Sequence, residues 1–450
     1  MDEIKMDDAF VRIEEKKDDI IGVLDYIWAH PELGYKEWNT HKYLKKKYED
    51  LGYVVHEVGN IPGFYIDIDT GKEGPTIAVF SEMDSLHIPD HPESDKLTGA
   101  VHACGHHTQC AATYGTAIGL KDKELLSSLC GKIRLFAVPC EEIVTGDFYD
   151  ELLKNGTIKF LGGKKEFIYR GLLEGVDIAF MIHGGAKGFG VSKGWDGNIN
   201  KRYIFKGKTS HVASPFNGLN TMNAALVAMN AANALRERSV DALHMRYYAN
   251  VVDNGGGAPN NVPMRTVVDA GLRALTVKKL KEMSRDFDRA YIAGAYSQGV
   301  KLEIQTTMGY CPRRESRPLQ LVFLDVAKRL FPLEEISDTE NTSAGVSDIG
   351  DVSSLIPTVH AFIGDGGPSN HTVKFKILDK YRMGVTAAKE QVGVLIELLS
   401  DNAVKAKEII KEYEPTFASR EEYLSFNEEY TKTVEAVNYD ANGKVIFRGE

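Results

Sequence analysis

Four short apolar runs in this chain each lead into residues that can hold a metal ion or a proton. The runs are Thr76–Phe80, Ile133–Pro139, Ile178–Ile182 and Thr358–Ile363. A short continuous apolar run is the mark of a strand buried on both faces, and such strands belong to sheets covered by helices on either side. Ligands of open α/β sheets bind just beyond the carboxyl ends of the strands. The residues after the runs are therefore informative. They are Ser81-Glu82-Met83-Asp84, Cys140-Glu141-Glu142, His183-Gly184-Gly185, and the Gly-rich loop Gly364–Thr372 with His371 inside it. Single charges at strand ends are ordinary solvated loop residues. Four strand ends carrying ligand-type residues point to an active site.

The stretch Val101-His102-Ala103-Cys104-Gly105-His106-His107 adds an imidazole- and thiol-rich turn. These side chains suit borderline-soft divalent metals such as zinc. Cys104 and His106 flank Gly105, whose backbone freedom lets both leave one turn in nearly the same direction. The plainer reading is a helix start that happens to carry histidines. With Glu142, His183 and His371 the set reaches five ligands, more than one tetrahedral zinc needs. It suits two metals, or one metal with an adaptable second site. The adjacent Glu141 and Glu142 alternate in direction at a strand end, so one can bind metal while the other faces a substrate. A carboxylate beside activated water is the usual general base in metal-assisted hydrolysis. The alternative is an exposed acidic turn.

At 450 residues the chain is too long for one ordinary core, so two domains are expected. A net charge of -10 argues against a general nucleic-acid surface. Five Cys, an odd number without framework spacing, point to a reducing, cytoplasmic setting. The start Met1-Asp2-Glu3-Ile4-Lys5 carries no signal-peptide pattern, and no apolar run is long enough for a membrane span.

Along the chain, the spacing predicts a helix over 7–28, a break at His30-Pro31-Glu32-Leu33-Gly34, and a second helix ending at Leu51. Strands come next at Tyr53–Val58 and Phe64–Asp69. The segment 143–176 is too long for a minimal connection; it is a helix and hairpin covering the site, or a surface excursion. From Asn198 the pattern changes to βαββαβ, the order of a ferredoxin-like split unit. The expected division is a catalytic domain of residues 1–197 and 310–450, with an inserted domain at 198–309. Three spots in the insert stand out: His211 in a small polar turn, Asn261 in a rigid amide-rich turn, and Arg273 inside an apolar stretch. Each has a plain structural alternative as helix entry, turn former or surface residue. The tail after Tyr430 reads as a surface extension.

Taken together, several short motifs resemble an ordered set. They are His30-Pro31-Glu32-Leu33-Gly34, Asp84-Ser85-Leu86, His102-Ala103-Cys104-Gly105-His106, Pro139-Cys140-Glu141-Glu142, Ser210–Pro215, Asn261-Val262-Pro263 and His371-Thr372. The set resembles that of peptidase family M20, the aminoacylase-type dinuclear metallopeptidases, in its amidohydrolase subfamily. Glu82-Met83-Asp84 and Ser347–Ser353 are more similar to the aminobenzoyl-glutamate hydrolase and β-alanyl-lysine dipeptidase types. The resemblance covers roughly residues 10–400. It implies a zinc-peptidase-like α/β domain with a central mixed sheet flanked by helices, and an inserted ferredoxin-like lid that pairs two protomers as a homodimer.

By the same resemblance, Cys104, His106, Glu142, His183 and His371 match metal ligands for two divalent ions per chain, of zinc, manganese, cobalt or nickel. Glu141 matches the general base, and His211 a lid histidine that stabilises the oxyanion in the partner's site. Asn261 and Arg273 look like groups that hold a substrate carbonyl or carboxylate. The implied activity is metal-dependent hydrolysis of an amide bond in an N-acyl amino acid, an aminobenzoyl-glutamate-like compound or a dipeptide. A carbamoyl or cyclic-amide substrate would use the same pocket. The rival reading is a non-catalytic binding or sensor protein of the same fold. Departures from the pattern are His107 in place of Asp or Asn, Gln109 in place of a frequent His, Cys140 in place of Ala, and a long 143–176 segment.

Overall fold

The four apolar runs become the four parallel strands of one mixed sheet. In the computed structural model, which describes residues 2–143, 146–185, 187–240, 243–255 and 257–448, Thr76–Glu82 lies between Lys132–Val138 and Ile178–Gly184. Thr358–Asp365 runs parallel on the far side of Ile178–Gly184. Antiparallel strands close both flanks. Phe64–Asp69, with Val55–Glu57 outside it, pairs with Lys132–Val138, and Lys187–Trp195 pairs with Thr358–Asp365. Because the four central strands are parallel, Glu82, Val138, Gly184 and Asp365 all end at one edge of the sheet, and the residues after them are gathered there. All of Ile178–Gly184 is buried, as expected for a strand covered on both faces.

The chain divides into two compact units. One comprises Met1–Lys193, Arg314–Asn341 and Asp351–Pro415; the other comprises Gly194–Arg313, Thr342–Gly350 and Thr416–Glu450.

In the first unit, the helix His106–Gly119 begins at Gly105, whose φ of +87° turns the chain from the Cys104 loop into the helix. The helix is buried along its whole length and packs against Lys17–Ala29 and Ala387–Leu399. Its small residues allow that approach. A Cβ on Gly115 would lie 2.7 Å from Ala388 Cβ and 2.9 Å from Ile20 Cδ1.

The helix predicted over 7–28 is two helices, Asp2–Glu15 and Lys17–Ala29, broken at Lys16. Ile13, Ile20, Leu24 and Ile27 all face the core across the break, which is why the periodicity reads as one helix. The segment 143–176 holds two helices, Asp147–Lys154 and Gly163–Tyr169, and no hairpin among the described residues; Val144 and Thr145 lie outside those residues. The second of these helices is no surface excursion, since Lys164, Lys165 and Glu166 are buried.

In the second unit, the elements Gly197–Lys206, Thr221–Ala234, Arg246–Asp253, Arg265–Ala274, Val277–Ser297 and Lys301–Met308 follow the order βαββαβ. The strands from Arg246, Arg265, Gly197 and Lys301 lie side by side in that sequence, all antiparallel. The sheet then continues. Lys432–Tyr439 pairs with Lys301–Met308, and Val445–Phe447 pairs with Lys432–Tyr439. The tail after Tyr430 is therefore not a surface extension: it adds two strands to the sheet, and Ala436 and Val437 are buried. Its hydrophobic content is sparse but well placed, so single-residue patterning misses it. Among the described residues no helix is long and apolar enough to cross a membrane.

Candidate metal centre

Glu141, Glu142, His183 and His371 from the strand ends of the first unit meet Cys104 and His106 in one cluster. Cys104 Sγ lies 3.4 Å from His183 Nε2 and 3.3 Å from His371 Nε2. His371 Nε2 is 3.0 Å from Glu142 Oε1. Three overlapping donor sets have their ligand atoms within 4.8 Å of one another: Cys104 with His106 and His183, Cys104 with Glu142 and His371, and His106 with Glu141 and Glu142. Cys104, His106 and Glu142 are each shared between two sets, so the donors form one continuous patch rather than isolated pairs.

The histidines are oriented from behind. His106 Nδ1 donates to the backbone and side-chain oxygens of Asp84, both at 3.0 Å, leaving Nε2 for the cluster. His183 Nδ1 donates to Gly184 O at 2.8 Å, and its Nε2 faces Cys104. An imidazole whose far nitrogen is bound to a carbonyl or carboxylate is the usual form of a metal-ligating histidine. Asp84 ties two ligands together, because its other oxygen accepts the backbone N–H of Glu142 at 2.7 Å. His371 sits at a φ of +62°, and its N–H donates to Ala103 O at 2.8 Å, which pins the Gly-rich loop to the Cys104 turn.

Burial and close neighbours shift the protonation of these donors in opposite directions. Burial, reinforced by the Glu142 and Glu141 carboxylates, pushes the Cys104 thiol well up, with His106 opposing. Burial works against charge on His106, but Glu82, Cys104 and Asp84 outweigh it and hold the imidazole well above its ordinary value. Burial pushes His183 down to about 4. The Glu142 contact raises His371. Buried thiol, imidazole and carboxylate donors this close repel or share protons unless a cation lies among them, and the donor set suits zinc or a similar divalent ion.

Two positions that depart from the family pattern point elsewhere. His107 is buried, packs near Trp28 and His102 at ring-centroid distances of 5.1 and 5.3 Å, and belongs to none of the donor sets. Burial holds it well below its ordinary value. Cys140 turns the backbone at φ +50°, donates its N–H to Glu37 Oε1 at 2.8 Å, and packs so tightly on Gly34 that a Cβ there would meet its Sγ at 2.6 Å.

Gln109 does join the site. Its amide donates to Glu82 Oε2 at 2.8 Å, and Glu82 Oε2 also lies 3.1 Å from His106 Nε2. Lys164 forms a buried ion pair with Glu82 Oε1. Sequence reasoning placed Glu82 at a strand end but missed Lys164, which is 82 positions away and carries no periodicity that links the two.

His211, Asn261 and Arg273 lie in the second unit. His211 and Asn261 are bridge partners on exposed backbone, and the Asn260 amide is 3.4 Å from His211 Nε2. Arg273 lies on Arg265–Ala274, where its guanidinium donates to Ala344 O at 2.5 Å.

The sequence profile described as "Peptidase family M20/M25/M40" matches residues 78–392. The chain is 28% identical over 396 residues to thermostable carboxypeptidase 1 of Saccharolobus solfataricus, across 83% of this chain and 95% of that one. It is 26% identical over 311 residues to a p-aminobenzoyl-glutamate hydrolase subunit of Escherichia coli, across 67% of this chain and 59% of that one. Among solved structures, the YXEP protein of Bacillus subtilis, described as a dinuclear metal binding peptidase from the M20 family, superposes with a TM-score of 0.68 at 20% identity, covering 86% of this chain and 99% of that one. The chain belongs to peptidase family M20/M25/M40, enzymes that hydrolyse amide or peptide bonds.

Proposed function

We propose that the chain hydrolyses the amide bond of an N-acyl amino acid, an aminobenzoyl-glutamate-like compound or a dipeptide. Cys104, His106, Glu142, His183 and His371 would hold the divalent metal, with room in the overlapping sets for two ions. The observation that carries this reading is the overlap itself: three donor sets share residues at the carboxyl edge of four parallel strands, with Glu141 among them. A divalent ion there would supply Lewis-acid activation of water and of the amide carbonyl.

The chain's own residues do the rest. Glu141 takes the proton of the attacking water and returns it to the leaving amine. Asp84 keeps His106 and Glu142 in register. His211 and Asn261 are assigned to the developing oxyanion and carbonyl, and Arg273 to a substrate carboxylate, for which a guanidinium fork is the natural receptor. Two relatives named as a carboxypeptidase and a p-aminobenzoyl-glutamate hydrolase support a substrate with a free carboxylate beside the scissile amide. The inserted segment 198–309 is assigned to pairing of two protomers.

The test combines metal content by mass spectrometry with amine release from dipeptides, aminobenzoyl-glutamate and N-acyl amino acids. One or two metals per chain with release from one class is the expected result. In Glu141→Gln, turnover should fall by about a hundredfold or more with metal content unchanged. Metal-free protein after supplementation with zinc, manganese or cobalt, or full activity in the Gln variant, would refute the reading.

A further inference from the structure

Glu82 stands where a metal ligand would stand. Its Oε2 lies 3.1 Å from His106 Nε2, the ring nitrogen left over after Asp84 takes Nδ1. It also comes within donor distance of the general-base candidate, Glu141. Yet both its oxygens are engaged by protein: Oε1 by the Lys164 ammonium, Oε2 by the Gln109 amide at 2.8 Å. Lys164 has no solvent exposure at all, unusual for a lysine and sustained only with a charged partner.

The ammonium is delivered by a rigid device. Gly163 N–H donates to Cys140 O at 3.0 Å, and a Cβ on Gly163 would fall 1.7 Å from Pro139 O, so only glycine lets the helix start so close to the Glu141-Glu142 turn. Below it, buried Glu166 accepts the N–H groups of Lys159 and Phe160 and pairs with Arg170. The long segment between Glu142 and His183 thus carries one fixed positive charge into a cluster of cation ligands.

We propose that Lys164 is a resident counter-charge of the metal centre. It withholds Glu82 from the ligand set and lowers the affinity for a divalent ion at His106 Nε2. The inference rests on the metal-centre reading above. In a water-poor site a fixed ammonium repels a dication strongly, and the carboxylate that would compensate is already neutralised. In the metal-free protein the same ammonium relieves repulsion among Glu82, Asp84, Glu141 and Glu142.

The test compares the full chain with Lys164→Met, Glu82→Gln and the double variant. Zinc and manganese affinities are read by competition with a chromophoric chelator at fixed pH, and the metal-free thermal midpoint is read beside them. Lys164→Met should bind metal more tightly by on the order of tenfold while its metal-free form melts lower. Glu82→Gln should bind more weakly, and the double variant should return close to the parent. If Lys164→Met does not fold, the step from Glu82→Gln to the double variant reads the same quantity. Unchanged or weaker binding on loss of Lys164 in either background would overturn the proposal. Failure of the parent chain to bind metal would instead overturn the metal-centre reading.

Discussion

Glu390 offers a sharp test of how the first unit manages buried charge. It lies in Ala387–Leu399, is fully buried, and neither carboxyl oxygen has a hydrogen-bond partner. Burial alone raises its pKa well above the ordinary value of 4.5. The folded state therefore keeps the proton while the unfolded chain gives it up, and stability falls as pH rises from 4.5 towards the folded value. The loss is about 1.4 kcal/mol for each pH unit in that window. Glu390→Met removes the carboxyl while nearly preserving side-chain length. Thermal midpoints from about pH 5 to pH 8, with amide exchange of the 387–399 helix as a local probe, should show the variant gaining on the parent steadily with pH. Two pH units into the window the gap should be about 3 kcal/mol. Parallel profiles, or a variant that loses ground as pH rises, would mean that the carboxyl is satisfied and ionised in the fold.

Two further outcomes follow from the geometry. Asp84→Ala removes the group that fixes His106 Nδ1 and the Glu142 N–H together, so zinc affinity measured by chelator competition should fall by about 10- to 100-fold. Gly115→Ala places a methyl against Ala388 and Ile20 in a helix with no free face, and the thermal midpoint should drop by the equivalent of about 1–3 kcal/mol; a neutral result would mean that the helices can part without cost.

The strands were legible because a strand covered on both faces leaves an unbroken apolar run, and the residues after each run had to gather once the strands lay parallel. Cys104, His106, Glu142, His183 and His371 were readable from their chemistry and from that convergence. Lys164 was not. An ion pair across 82 residues has no local signature, and a lysine in a Gly-Gly-Lys-Lys stretch reads as surface until the fold buries it. Lys16 hides a helix break because the buried rows on either side stay in phase. His107 and Cys140 stood out only as departures; in the fold they pack beside Trp28 and Gly34, neighbours too distant in sequence to be read from it.

The C-terminal pairing also sets a timetable. Lys301–Met308 emerges from the ribosome about 130 residues before its partner Lys432–Tyr439. Until then the βαββαβ portion carries an open hydrogen-bonding edge on that side, a template for any extended chain nearby. Synthesis stopped short of residue 432 would leave that edge without the strand that covers it in the full chain.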